Sequence, residues 1–288
     1  MKFNQNPIKS LSAPWFETDF SENFLKKKKI SKDLREKTNF FIKNGYLVLR
    51  NAISKKLINN VVNDFNKIIN SKEFKKNPDY FHYNKHPRVI EGWKKSKNIK
   101  KIAKNTIINK YLKFFYNKKP LPISTINFYA GTEQPLHSDY IHFGSVPELY
   151  LAGAWFALEN VNKNNGPLTV VPGSHKLKIV SFSDFNLQIP KTLKELKSHY
   201  SVYENYLIEV IKEKKMKTKK IYLKKGDVII WAANLLHGGS KIIKKNHSRL
   251  SQVVHYHFDK LDYVYNPCFT NKNIGIIAKR DLKELIIK

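Results

Sequence analysis

The chain has 288 residues, 41% of them hydrophobic and including 18 Phe, 15 Tyr and 4 Trp, so it can bury a sizeable core and is not a disordered polymer. Its formal net charge is +30, yet only Arg35, Arg50, Arg88, Arg249 and Arg280 are arginines; lysine spread along a whole chain reads bases and phosphates poorly, so no specific nucleic-acid partner is expected. The single cysteine, Cys268, excludes an intramolecular disulfide, and no segment has the apolar length of a signal peptide or membrane span, so a cytoplasmic protein is expected.

Residues 1–30 are polar and irregular, end in Lys26-Lys27-Lys28-Lys29, and read as an N-terminal arm. Ser31 is placed to cap a helix running to about Lys43, which Gly45 ends. Tyr46–Leu49 is an apolar run typical of a strand. Ser54 opens a second helix, with Leu57, Ile58, Val61, Val62 and Phe65 at helical spacing. Residues 74–95 are aromatic and charged without a period, and a third helix is predicted from Asn98 to Tyr116, ended by Pro120 and Pro122. Residues 31–122 therefore form a mainly helical flank.

From residue 123 the texture changes to short strands separated by turns. Strands are predicted at 123–129, around His137, and at 149–158, 168–171, 220–223, 228–231 and 249–258. A helical insertion at 176–217 interrupts them, best seen at Leu193–Tyr200 and Tyr203–Lys214. The tail, 259–288, is mixed, with helix expected near Leu282–Ile287. The whole reads as one domain, 1–288, whose β-core is a sandwich or barrel.

Within that core, His137-Ser138-Asp139 separates a nitrogen donor and a carboxylate by one residue, which on a strand puts both on one face. With His237 they can make the two-histidine, one-carboxylate face of a non-haem iron(II) site, which leaves positions open for co-substrate and dioxygen. The bland alternative is a solvated histidine and a capping aspartate on a turn after Pro135. His237 is flanked by Gly238 and Gly239, which permit close approach of ligands, although a core histidine at a strand end is also compatible. Arg249 and Ser251 share a strand face and can together hold one carboxylate. His142 is a candidate to face the substrate, His175 to support a turn, and His255 and His257 to line the pocket or core. His82, His86 and His247 have no arguable partner.

At this point the residues resemble a family. Asn165-Gly166-Pro167-Leu168-Thr169-Val170-Val171-Pro172-Gly173-Ser174-His175-Lys176 looks like the signature block of the phytanoyl-CoA dioxygenase (PhyH) family. Gly226-Asp227 through His237, Asn246-x-Ser248-Arg249 and the strand to Tyr256 are similar to its distal half. Phe40-Phe41-x-x-x-Gly45-Tyr46-Leu47-Val48-Leu49 is like its start. The resemblance implies a mainly β fold with flanking helices, a double-stranded β-helix (jelly-roll, cupin-like barrel) holding Fe(II) and 2-oxoglutarate, with O2 as oxidant. Carried over, His137, Asp139 and His237 match the iron ligands, and Arg249 the residue that pairs with the distal carboxylate of 2-oxoglutarate. Trp155 matches an aromatic lining the co-substrate pocket, although an ordinary core Trp is an equal reading. Asn127, on the preceding strand, is a further candidate to hydrogen-bond the co-substrate. Related iron halogenases carry a small residue at the carboxylate position, so Asp139 implies hydroxylation.

Two alternatives stand beside a dioxygenase acting on a small organic substrate. One is a zinc hydrolase on the same barrel, since His/Asp/His also suits zinc; the other is a catalytically silent binding protein. Residues 74–95, the insertion and the arm are expected to wall the pocket, their lysines and aromatics suiting an anionic or ring-bearing molecule. The sequence does not reveal the oligomeric state.

Overall fold

Capping residues set the helical flank. The computed structural model describes residues 12–76, 86–244 and 247–288. Within them come α1 (Ser21–Lys27), α2 (Lys32–Asn44), β1 (Tyr46–Leu49), α3 (Lys55–Asn70), α4 (Lys72–Lys75) and β2 (Arg88–Ile90). The Ser31 hydroxyl accepts the Leu34 N–H at the start of α2, and Gly45 closes it in the left-handed region at φ 76°. Ser54 caps α3 in the same way through Leu57. The arm is tied down from residue 12 onward: Phe16 is fully buried and meets Phe41 edge-on at 5.0 Å. Residues 1–11 of that arm, residues 77–85 of the aromatic stretch with His82, and Asn246 lie outside the described residues.

The single helix expected from Asn98 to Tyr116 is two, α5 (Lys97–Ala103) and α6 (Thr106–Tyr116). Asn105 is the cause, because its side chain accepts the Ile108 N–H at 3.0 Å and starts a new helix. Pro120 and Pro122 do not end a helix but begin a strand, β3 (Pro120–Phe128). Prolines are tolerated there: β2 pairs only with Ile126–Phe128, so the proline end of β3 has β10 on one side and no named strand on the other.

The remaining elements are β4 (Gly144–Val146), β5 (Ala152–Ala157), β6 (Leu168–Val170), α7 (Leu193–Glu213), β7 (Lys219–Ile221), β8 (Val228–Ala232), β9 (His237–Gly239), β10 (Ser251–Phe258), β11 (Tyr263–Tyr265), β12 (Lys279–Arg280) and α8 (Leu282–Leu285). The two helical stretches read in the insertion are one continuous α7. Helices hold more of the described residues than strands, but the sheets form the centre.

Every strand pairing is antiparallel. A six-stranded sheet runs β1-β8-β5-β10-β3-β2, a three-stranded sheet β7-β6-β9 faces it, and a third sheet is β12-β11-β4. The large sheet is buried on both faces, which explains unbroken apolar strands such as Val228–Ala232. Ala154, Phe156, Ile230, Val254 and Tyr256 look out at Phe41, Ile58, Phe65, Ile102 and Phe115 of the helices. Trp155, Ile229, Trp231 and Val253 look in, toward Leu168 and Val170 of the smaller sheet. Two facing antiparallel sheets with helices outside one of them make the jelly roll, or double-stranded β-helix. The insertion packs through Tyr203 and Leu207 in a cluster with Ile141, Val171 and Leu236, and Cys268 of the tail joins it.

Candidate active site

A cavity of about 320 Å³ opens between the two sheets. His137 and His237 reach it by facing each other across an isolated antiparallel bridge, each N–H donating to the other's carbonyl at 2.9 Å. The strand expected around His137 is reduced to that bridge. Asp139 begins a short 3-10 turn, with Ser138 capping the Tyr140 N–H, so turn geometry brings the two side chains together where strand alternation was expected to. The Tyr203 hydroxyl of α7 accepts the Ser138 N–H at 3.1 Å and fixes the turn from behind.

Ligand atoms of His137, Asp139 and His237 lie within 4.8 Å of one another, and all three residues are buried. Asp139 Oδ1 is 3.7 Å from His137 Nε2 and 3.6 Å from His237 Nε2. Each histidine holds its Nδ1 against a backbone carbonyl, Pro135 at 2.8 Å and Leu235 at 3.0 Å. With the proton on Nδ1, Nε2 keeps its lone pair toward the cavity, the arrangement a metal requires. The Gln134 amide occupies the His137 lone pair at 3.2 Å, the position an ion would take. Burial, with the charge of His237 adding to it, pushes His137 down to about 3, so it stays neutral. Burial alone would raise the Asp139 carboxyl, but electrostatic attraction to the surrounding His237, His255 and His137 rings and a hydrogen bond from His255 outweigh it and hold the group well below its ordinary value.

The other oxygen of Asp139 is held by Trp231, which the sequence reading missed, and by His255, which it placed in the pocket or core. Trp231 Nε1–H donates to Oδ2 at 2.9 Å, and His255 Nε2 lies 3.2 Å from it. Trp231 can sit there because Gly153 opposite has no side chain: a Cβ would fall 2.1 Å from the indole. His255 stacks on Phe143, as a pocket residue rather than part of the donor cluster.

Arg249 is buried, lines the same cavity, and lies two residues before β10 rather than within a strand. Its Nη2 donates to Ala130 O at 3.3 Å, and Nε has no hydrogen-bond partner. Its guanidinium stands 5.0 Å from the centroid of Trp155, which also lines the cavity. Burial lowers Arg249 to about 10, against the charge of Glu159, so it remains a cation at neutral pH. Ser251 is fully buried with an unpartnered hydroxyl, but it does not reach the cavity wall.

Asn127 requires a correction. Ile126 and Phe128 line the cavity, so alternation along β3 turns Asn127 to the opposite face, where its amide donates to Gln252 at 3.2 Å. Among the other histidines, His142 lines the cavity, whereas His175 is held by Ile42 O beneath the Gly45 turn and His257 by Tyr150 O. The pocket walls also differ from expectation. Arg88 of the expected 74–95 stretch does line the cavity, but among the described residues neither the insertion nor the arm contributes, whereas the tail contributes Asn266 and Arg280.

This fold and this donor set are those of the iron(II)- and 2-oxoglutarate-dependent oxygenase class. The family described as phytanoyl-CoA dioxygenase (PhyH) matches residues 41–249, and the chain belongs to it. The peroxisomal phytanoyl-CoA dioxygenase of Homo sapiens is 24% identical over 231 residues, covering 72% of this chain and 63% of its own length. The chain thus spans less than two thirds of that relative. Among solved structures, the α-ketoglutarate-dependent carbocyclase SnoK from nogalamycin biosynthesis aligns with TM-score 0.63 at 15% identity, covering 88% of this chain and 93% of its own. EctD of S. alaskensis, crystallised with 2-oxoglutarate and 5-hydroxyectoine, aligns with TM-score 0.62 at 17% identity, covering 85% and 84%. Among the described residues, no helix is long and apolar enough to cross a membrane.

Proposed function

We propose that the chain is an Fe(II)- and 2-oxoglutarate-dependent dioxygenase that hydroxylates a C–H bond of a small organic substrate. The supporting observation is the pairing, in one cavity, of a His/Asp/His donor set with the buried guanidinium of Arg249, whose Nε has no partner. In this reading His137 and His237, through Nε2, and Asp139, through Oδ1, would hold the iron. Bound iron supplies the binding of keto acid and dioxygen and the oxidising power for C–H cleavage. Arg249 clamps the distal carboxylate of 2-oxoglutarate, with Trp155 as the wall beside it. Ser251 backs that end of the pocket as a spare hydroxyl. Phe128 and Phe143 line part of the remaining wall and help exclude water from the reacting atoms. We also read the chain as one oxygenase domain, in which the tail completes the cavity.

A zinc hydrolase uses similar donors, but it leaves a buried guanidinium in the same cavity without a task. The test is succinate release by anaerobically iron-loaded protein screened against a metabolite library. Release that needs both Fe(II) and 2-oxoglutarate is expected, and it should vanish in His137→Ala and Asp139→Ala. Hydrolysis supported by zinc, with no succinate under any condition, would overturn the reading. Arg249→Ala should weaken 2-oxoglutarate binding roughly 10²-fold while leaving metal binding intact, since it removes one partner of a buried charge pair.

A further inference from the structure

Three of the five arginines, Arg88, Arg249 and Arg280, line the cavity, and among the described residues no lysine does, in a chain that otherwise supplies positive charge as lysine. The remaining two have structural partners: Arg35 donates to the carbonyls of Leu25 at 2.6 Å and Lys28 at 2.7 Å, and Arg50 pairs with Asp227. Arg88 and Arg280 have no ion pair among the described residues, and Arg88 Nε is buried without a hydrogen-bond partner. They arrive from distant parts of the chain, Arg88 on β2 opposite Phe128 and Arg280 on β12 opposite Val264.

The charge balance at the wall then decides what fits. Among the described residues, Asp139 is the only carboxylate lining the cavity, against three guanidiniums. Iron(II) and the dianion of 2-oxoglutarate cancel, so the loaded site keeps an excess of two positive charges. Arg249 is buried and Arg88 half-buried, so water screens them less than at an open surface, whereas Arg280 is exposed and screened more. The planar fork of a guanidinium matches the oxygens of a carboxylate or phosphate.

We propose that Arg88 and Arg280 form an anion subsite of the substrate pocket, so that the molecule oxidised is a small organic anion bearing a carboxylate or a phosphate. This rests on the oxygenase reading and adds to it a substrate class. The experiment is calorimetry on anaerobic protein loaded with Fe(II) and 2-oxoglutarate, titrated with phenyl phosphate, benzoate and the neutral benzamide. Both anions are expected to bind at least about tenfold more tightly than benzamide, and Arg280→Gln or Arg88→Gln to lose about tenfold each, as for a charge-assisted pair. Which anion binds more tightly identifies the phosphate or the carboxylate source. Lys113→Gln, remote from the cavity, should change nothing. Equal binding of anions and amide, or equal loss in Lys113→Gln, would overturn the subsite. Loss of 2-oxoglutarate rather than probe binding in Arg88→Gln would assign that residue to the co-substrate and equally overturn it. Failure of the unmodified protein to bind iron and 2-oxoglutarate at all would instead sink the oxygenase reading beneath it.

Discussion

At the scale of single residues, Asp139 divides its two oxygens between two tasks. Oδ1 faces the histidine pair, while Oδ2 receives Trp231 Nε1–H and lies beside His255. A carboxylate pinned at one oxygen cannot swing, so the other stays aimed at the ion; partners of this kind typically tune affinity ~10–100-fold. Trp231→Phe keeps the ring and loses the donor. It should therefore weaken metal binding by about that factor, with little change in fold. Anaerobic Fe(II) titration, checked with Co(II), measures it, and an unchanged affinity would show that Trp231 merely packs. The triad and Arg249 were legible because each residue type carries its chemistry in the sequence. Trp231 was not, because a Trp on an apolar strand looks like core until its opposite neighbour is known. Arg88 and Arg280 could have been found: the arginine scarcity that singled out Arg249 applied to them equally.

At the scale of elements, caps and turns were the most readable features. Ser31, Gly45 and Ser54 sit at the helix ends that their chemistry predicts. Asn127 shows the limit: a candidate's face depends on register, and a one-residue difference reverses it. The tail's helix was legible, since α8 (Leu282–Leu285) falls where helix was expected, but its strands were illegible for another reason. β11 has three residues and β12 two, too few to display a period of two, and yet they carry Arg280 to the cavity. The pairing of β5 with β8 links element to site. Gly153 opposes Trp231 in the middle of the large sheet, between β8 and β10, where neither backbone can move aside. Gly153→Ala should destabilise the protein by about 1–3 kcal/mol through overpacking. It should also loosen metal binding, because the displaced indole leaves Asp139. Thermal unfolding together with the same titration tests this; a loss of stability with unchanged affinity would separate the sheet contact from the carboxylate clamp.

At the scale of the whole molecule, pH acts through histidines that the fold buries neutral. Burial lowers both His142 and His257 from 6.5 to about 4, against raising contributions from Asp139 and from the Tyr150 carbonyl respectively. In the metal-free protein, burial takes His137 to about 3. Between pH 6.5 and 4 the unfolded chain therefore takes up protons at these positions while the folded chain does not. Their contribution to stability is complete above the unfolded value and is lost as pH falls through that window, at up to about 1.4 kcal/mol per pH unit for each histidine. Iron on His137 and His237 opposes the trend, since the ligating nitrogen must stay unprotonated. Urea unfolding of metal-free protein from about pH 7.5 to about pH 5 should show a steadily falling midpoint, and saturating metal should hold that midpoint up. His257→Gln, away from the donor set, should flatten the slope by one histidine's share even where it lowers stability at every pH. A midpoint independent of pH across that window would mean that these rings are already charged, or reach water, in the folded chain, and the neutral His137 donor proposed for the metal would lose its physical basis.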